Sequence, residues 1–400
     1  MNPIYNALVY FVWFVATYYT VFFATSLIFN KERIYEKSPD KKERPLVTFI
    51  IPAYNEEDGI TETIESLKNV TYEKMEFIIL NDGSGDRTSE IVRENIQGDK
   101  RFRFVDNEKN KGKAATLNQG IDLAKGKYIA CMDADSIVEK NIVEKTIPYF
   151  DSGKVGAVTV SVDVNKPKNW LHKIIVLEFA LGLSLFLKIF SFFDCVFVTP
   201  GPFSMFRKSM LKDIGGFDIK SITEDNEIAY RIHKSSYKIK NCINAKVYTT
   251  LPKTFKGIFI QRRRWYTGAL KSLMKHKDVI FNSRYNLFGY FIPFNFFLIF
   301  TGLALFSYTT FLGIKKIIDN LLYFRYTDFN FFQHFQISFD LLNYGRVSFL
   351  GMSMFAATVI LMIFGIIYSK KKARENKLGI LGYPFLFFLY QIYWGGAVIE

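Results

Sequence analysis

The sequence predicts an α/β domain with a mostly parallel sheet, joined to amphipathic interface helices and an all-α membrane region of about four spans. Three observations predict it. Between residues 46 and 132, short apolar β-type runs alternate with helical stretches, the order that gives a parallel sheet covered by helices on both faces. Residues 3–29 carry no charge and are long enough to span a bilayer. Hydrophobic residues make up 49% of the 400 and aromatic residues 17%, with 42 Phe and 23 Tyr, a high usage for a soluble enzyme.

The elements follow in order. Segment 1–32 reads as an N-terminal transmembrane helix. It is too long for a signal peptide, no positive charge precedes its apolar run, and no small-residue cleavage site follows. Strands are expected at 46–51, 75–80, 101–105 and 127–132, with helices at 56–68, 88–96 and 114–124. A further strand is expected at 196–198. The soluble domain covers 33–252, an amphipathic helix lies within 253–282, and segment 283–400 carries candidate spans at 285–314, 347–368 and 378–399.

Charge orients these parts. The formal net charge is +14, and basic residues concentrate in 31–44 and in Lys370-Lys371-Lys372-Ala373-Arg374. The positive-inside rule places both on the cytoplasmic side. The expectation is an integral plasma membrane protein with its N-terminus outside and its central domain cytoplasmic. The basic runs flank apolar segments and no recognition motif accompanies them, so the charge fits an anionic bilayer and no nucleic-acid partner is expected. Cys131, Cys195 and Cys242 are scattered and apolar-flanked, like buried free thiols, and the four histidines show no metal-ligand spacing with them.

Sites in open parallel sheets lie at the carboxyl ends of the strands. Here those ends read Pro52-Ala53-Tyr54-Asn55-Glu56, Asn81-Asp82-Gly83-Ser84 and Asp133-Ala134-Asp135. Turn formation explains any one of these, but not acids gathered at one edge. Asp133 and Asp135, two residues apart at a strand end, point to the same side and repel unless a cation lies between them. A divalent metal bridging a substrate diphosphate relieves that repulsion. Other phosphate and metal loops fail. Lys111-Gly112-Lys113 lacks the upstream glycine of a P-loop, and Arg87 stands where a calcium loop starting at Asp82 requires glycine. Downstream come a loop from Thr199 to Arg207, Thr223-Glu224-Asp225 opening a helix with Thr223 as its N-cap, and Gln261-Arg262-Arg263-Arg264-Trp265 in a basic amphipathic stretch.

In this order, Asp82, Asp133-x-Asp135, Thr223-Glu224-Asp225 and Gln261-x-x-Arg264-Trp265 resemble the motifs of the membrane-embedded family-2 glycosyltransferases. That group includes the cellulose, hyaluronan and poly-N-acetylglucosamine synthases. The resemblance covers about 46–275 together with the membrane layout. It implies a GT-A (Rossmann-like) fold and a role for each matching position. Pro52, Ala53, Tyr54, Glu56, Asp82, Lys113, Asp133 and Arg264 would bind a UDP-sugar, with Tyr54, Glu56 and Asp82 at the uridine and Arg264 at the diphosphate. Asp133 and Asp135 would hold Mg or Mn. Asp225 would be the general base, and Gly201, Glu224, Gln261 and Trp265 would meet the acceptor. Asn81 departs from the family pattern, where a second Asp is common, and Gly201-Pro202 and Ser204-Met205 depart from its usual small-residue loop.

The expected reaction is an inverting, metal-dependent transfer from a UDP-sugar to a growing polysaccharide, processive and coupled to export. The alternative is transfer to a ceramide-like or diacylglycerol-like lipid. Partners implied are the donor, a polysaccharide or glycolipid acceptor and the lipid bilayer, with room for a small partner subunit. Either acceptor requires one assembled site. A span at 174–198 would put Asp225 and Trp265 across the bilayer from Asp133, so 170–193 is read, like 255–275, as an interface helix on the cytoplasmic leaflet.

Overall fold

The structure, a computed structural model, describes residues 3–36, 43–326, 376–383 and 385–399, with a few residues between 356 and 367. The chain divides into two compact units, one of residues 27–292 with 365–400 and one of 1–26 with 293–364.

The first unit is built on one sheet. Its strands are β1 (Val47–Ala53), β2 (Met75–Asp82), β3 (Phe102–Asn107), β4 (Tyr128–Cys131), β5 (Ser136–Val138), β6 (Val155–Val164), β7 (Ser204–Arg207) and β8 (Lys238–Thr249). They pair in the order β3-β2-β1-β4-β7-β6-β8-β5. β3, β2, β1 and β4 run parallel, β7 runs antiparallel to β4 and β6, and β8 runs parallel to β6. β1 lies between β2 and β4 and is buried along nearly its whole length, so its sequence is a continuous apolar run without alternation. Phe49 of β1 packs 5.2 Å from Phe77 of β2 and 6.0 Å from Phe203, tying the sheet centre to the loop ahead of β7. The expected mostly parallel α/β fold is present, and the carboxyl ends of β1, β2 and β4 meet at one edge.

Three expectations change in detail. The helix expected from residue 56 is Ile60–Lys68. Ahead of it, the backbone amides of Asn55 and Glu56 donate to Ser84 Oγ (2.9 Å) and Thr88 Oγ1 (2.8 Å), so the amides here are held by the neighbouring loop, while Glu56 O accepts from Gly59 and Ile60 N–H at the start of the helix. Residues 196–198 form no strand. Their carbonyls are taken by side chains of the Glu224–Lys234 helix, Val196 O by His233 Nε2 (2.7 Å) and Phe197 O by Asn226 Nδ2 (2.9 Å). The ladder strand comes after the loop, at β7. Finally, 378–399 is not one helix: Lys377–Gly382 and Phe385–Ile399 are separate. The second has 15 residues, a rise of about 22 Å against a hydrocarbon core of roughly 30 Å. It packs along the helix Phe255–Lys275, where the Tyr266 and Trp394 rings stack at 4.3 Å.

Among the described residues three helices are long and apolar enough to cross a membrane: Ala7–Phe29, Trp170–Phe192 and Ser283–Ala304. The middle one differs from the others. It packs against β6 and β8 through a π-helical turn at Ala180–Phe186, and 72% of its most apolar window is buried, against 22% and 28% for the other two. Its apolar surface is satisfied by the sheet. The expected spans at 3–29 and 285–314 fall in the helices Pro3–Phe29 and Asn286–Tyr326, while 347–368 lies largely outside the described residues. Within the second unit, Phe11 meets Phe297 edge to face at 5.4 Å and Asn295 donates to Tyr19 Oη at 3.3 Å.

Asn81 shows why this chain departs from an Asp at that position. Its Nδ2 donates to Asp106 Oδ1 (2.7 Å) and Ser89 Oγ (2.9 Å), and its Oδ1 accepts from Ser84 Oγ. An aspartate would set two carboxylates face to face. Asn81→Asp should cost about 1–3 kcal/mol of stability, read as a lower melting temperature; an unchanged melting curve would show that this network does not hold the loops.

Candidate active site

Four segments converge at the carboxyl edge of the sheet. At the end of β2, the buried Asp82 accepts the backbone N–H of Lys111 (2.9 Å) and of Gly112 (2.9 Å) on its two oxygens. It thereby fixes the loop that delivers Lys113 at the start of the helix Lys113–Leu123. Lys113 Nζ then lies 2.6 Å from Asp133 Oδ1 and 2.9 Å from Glu224 Oε1. A single ammonium joins the end of β4 to the start of the helix Glu224–Lys234. The loop before β7 closes the other side. Asp133 N–H donates to Gly201 O (3.1 Å), and both the N–H and the hydroxyl of Thr199 donate to Asp225 O (2.9 Å each). Glycine at 201 leaves these side chains room: a Cβ there would lie 2.8 Å from Asp133 Oδ2 and 2.9 Å from Lys113 Nζ, so both would have to shift. The Asp225 carboxylate accepts the Asn226 N–H at 2.9 Å. Lys113, Asp133, Gly201, Glu224 and Asp225 line one cleft.

The charges are unevenly balanced. Burial and the neighbouring Asp133 raise Asp135, and burial with Glu224 raises Asp225. Glu56 is pushed up to about 7 by burial, then by Asp135 and Asp133. Burial also opposes the charged forms of Glu224 and Lys113, but their mutual attraction and Asp133 win, holding Glu224 low and Lys113 high. Lys113 thus compensates Asp133 and Glu224 and leaves Glu56 and Asp135 in an acidic field. No cluster of three or more His, Cys, Asp or Glu able to hold a metal exists among the described residues. Two carboxylates, Asp133 and Asp135, fit an ion such as Mg or Mn that completes its shell with substrate phosphate oxygens and water, not a preformed protein cage. The raised Asp135 and Glu56 are the excess negative charge that such an ion relieves.

The helix Phe255–Lys275 brings the remaining motif. Arg264 Nη1 reaches Ile222 O at 3.4 Å, and Gly268, one turn on, seats against Thr223, where a Cβ would come within 2.8 Å of the threonine Cβ. Thr223 occupies the N-cap position, but its hydroxyl caps nothing, and neither Thr223 Oγ1 nor the buried Gln261 Oε1 has a hydrogen-bond partner among the described residues. A buried oxygen without a donor is costly, and a ligand hydroxyl would satisfy it. The Trp265 ring is partly buried beneath the Arg262 guanidinium, 4.2 Å from the ring centroid. Tyr54, at the end of β1, is 50% exposed and open to a planar ligand. Pro52 and Ala53 are β1 residues in register with Leu80 and Asn81 and shape the edge through the backbone.

Of the residues singled out in the sequence, the structure sets Lys113, Asp133, Gly201, Glu224 and Asp225 around one cleft; sequence reasoning overlooked Arg262 and its partner Glu178, 2.9 Å away. The available signal was a lone glutamate inside an otherwise apolar helical run. Gly268→Ala should push the helix off Thr223 and lower turnover more than tenfold with the far-UV dichroism spectrum retained; normal turnover would show that this close approach does not set the site.

Comparison with known proteins agrees with this geometry. Residues 48–215, from β1 through β7, match the family model Glycosyl transferase family 2. A poly-beta-1,6-N-acetyl-D-glucosamine synthase of Staphylococcus epidermidis is 30% identical over 402 residues, spanning 98% of this chain and 91% of the relative. A protein of the same description from Staphylococcus aureus is 34% identical over 276 residues, 68% of this chain and 66% of its own. Among solved structures, a mannosyltransferase from Pyrobaculum calidifontis, in complex with GDP-Man and Mn2+, superposes with a TM-score of 0.60 at 17% identity over 97% of this chain and 98% of that one, a shared fold. With its GT-A-like sheet and near full-length similarity to such a relative, the chain is a glycosyltransferase and belongs to glycosyl transferase family 2.

Proposed function

We propose that this enzyme transfers N-acetylglucosamine from UDP-N-acetylglucosamine to the end of a growing β-linked poly-N-acetylglucosamine chain, at the cytoplasmic face of the plasma membrane. The observation that carries the reading is the bridge from Asp133 through Lys113 to Glu224, which sets donor-side and acceptor-side carboxylates in one cleft beside Asp225. The choice of sugar rests on the synthase relatives, whose similarity extends over the membrane segments as well.

The residues divide the work as follows. Tyr54, Glu56 and the loop organised by Asp82 receive the uridine. Asp133 and Asp135 would hold Mg or Mn, which when bound would supply positive charge to the departing diphosphate. Arg264, permanently charged and forked, supports the same group. Asp225 takes the proton from the attacking hydroxyl. Its raised pKa moves it towards the working pH, where a general base is most effective. Direct attack without a covalent intermediate inverts the anomeric carbon and gives a β-linkage from an α-linked donor. Trp265 offers an apolar face to the acceptor sugar, and the orphaned Gln261 Oε1 accepts a sugar hydroxyl. The helices Pro3–Phe29 and Asn286–Tyr326 cross the bilayer with the N-terminus outside, and Trp170–Phe192 stays on the cytoplasmic side, buried against the sheet.

UDP release by the detergent-purified full chain tests the donor. With Mn or Mg it should occur with UDP-N-acetylglucosamine and not with UDP-glucose, UDP-galactose or UDP-glucuronate, and the product should be a long glycan. A single sugar on an added diacylglycerol or ceramide would replace the polymer reading with the glycolipid one. Chelation should abolish turnover and added Mn or Mg restore it; turnover persisting in chelator would refute the metal. Asp225→Asn should cut kcat by roughly 10²- to 10⁴-fold with the donor KM unchanged, and a normal kcat would remove Asp225 from the role of base.

A further inference from the structure

Beneath the proposed acceptor platform lies a buried charged cluster that the reaction itself does not use. Arg262, 3% exposed, projects from the same helix as Trp265. Its Nη2 lies 2.9 Å from Glu178 Oε2, and the other oxygen of Glu178 accepts the Tyr390 hydroxyl at 2.8 Å. Three helices, Trp170–Phe179, Phe255–Lys275 and Phe385–Ile399, therefore meet at one carboxylate. The guanidinium covers the Trp265 ring at 4.2 Å and the Phe179 ring at 5.4 Å, and those two rings stack at 6.5 Å. Burying an ion pair among apolar helices is a poor way to gain stability, because desolvation cancels most of the attraction. What it supplies is direction: a planar fork clamped on one side by a carboxylate can hold a second plane, the indole, at fixed tilt.

We infer that Arg262, anchored by Glu178 and Tyr390, is a positioning residue that sets the Trp265 ring for the acceptor sugar. The inference rests on Trp265 being the acceptor platform. Among the described residues Arg262 meets Glu178, Phe179 and Trp265 and no cleft-lining carboxylate, so its effect should fall on acceptor use alone. Glu178, an acid inside an apolar helix, and Tyr390, far along the chain, acquire a shared reason to be polar.

The test uses the full chain in detergent with UDP-N-acetylglucosamine and a soluble β-1,6-linked N-acetylglucosamine oligomer as acceptor. Arg262→Lys keeps the charge and loses the planar fork, and Tyr390→Phe removes one hydroxyl. Each should raise the acceptor KM, roughly tenfold for Arg262→Lys, with the donor KM and acceptor-independent UDP release unchanged. A role confined to stability would move donor and acceptor parameters together, and that result would overturn the inference. So would wild-type acceptor KM in both variants while Trp265→Ala raises it. Wild-type acceptor KM in Trp265→Ala would overturn the platform reading and the inference with it.

Discussion

The arrangement depends on one ammonium group among five carboxylates. Glu56, Asp133, Asp135, Glu224 and Asp225 arrive from three different parts of the chain, and without Lys113 their repulsion would spread the edge of the sheet apart. Lys113 lies within 2.9 Å of two of them. Its own placement is secured by Asp82, whose two oxygens hold the preceding turn. The remaining excess of negative charge is not a defect of the fold. It falls on Glu56 and Asp135, whose carboxyls are raised by burial and by their acidic neighbours.

A second constraint is geometric. Two glycines permit close approaches that a Cβ would disturb. Gly201 lets the loop before β7 lie on Asp133 and Lys113, and Gly268 lets the Phe255–Lys275 helix lie on Thr223. Between them, Asp225 is fixed twice: its backbone carbonyl accepts from Thr199 and its carboxylate accepts the Asn226 N–H. The Trp170–Phe192 run gives this assembly a floor. It has the composition of a membrane span, yet the sheet claims most of its surface, so an apolar helix here serves the catalytic unit.

Much of this was legible in the sequence because the parallel half of the sheet advertises itself. β1, β2 and β4 are apolar runs closed by Asn, Asp or Tyr-Asn-Glu, and runs of that kind need no tertiary information to be recognised. The antiparallel half was not read. β5 and β7 have three and four residues, too short for a period to show. The Val-Phe-Val run at 196–198 has strand composition, but the carbonyls of Val196 and Phe197 are claimed by His233 and Asn226, donors about thirty residues away that no local pattern reveals. The same holds at the site. Motif order singled out the side chains that line the cleft, but not that Asp82 organises a loop, that Thr223 leaves its helix uncapped, or that Arg262 finds Glu178 across 84 residues.

The Tyr390 contact also has a consequence in time. Glu178 and Tyr390 are 212 residues apart, an interval of roughly 10–40 s at ordinary rates of synthesis. Until the helix Phe385–Ile399 emerges and docks, the Phe255–Lys275 helix lacks one of its packing partners and Glu178 has only Arg262 as a donor. The cleft residues Lys113, Asp133, Gly201, Glu224 and Asp225, by contrast, all precede residue 226 and leave the ribosome well before Tyr390. The charged cluster beneath Trp265 is therefore completed only after the whole lining of the cleft has been synthesised.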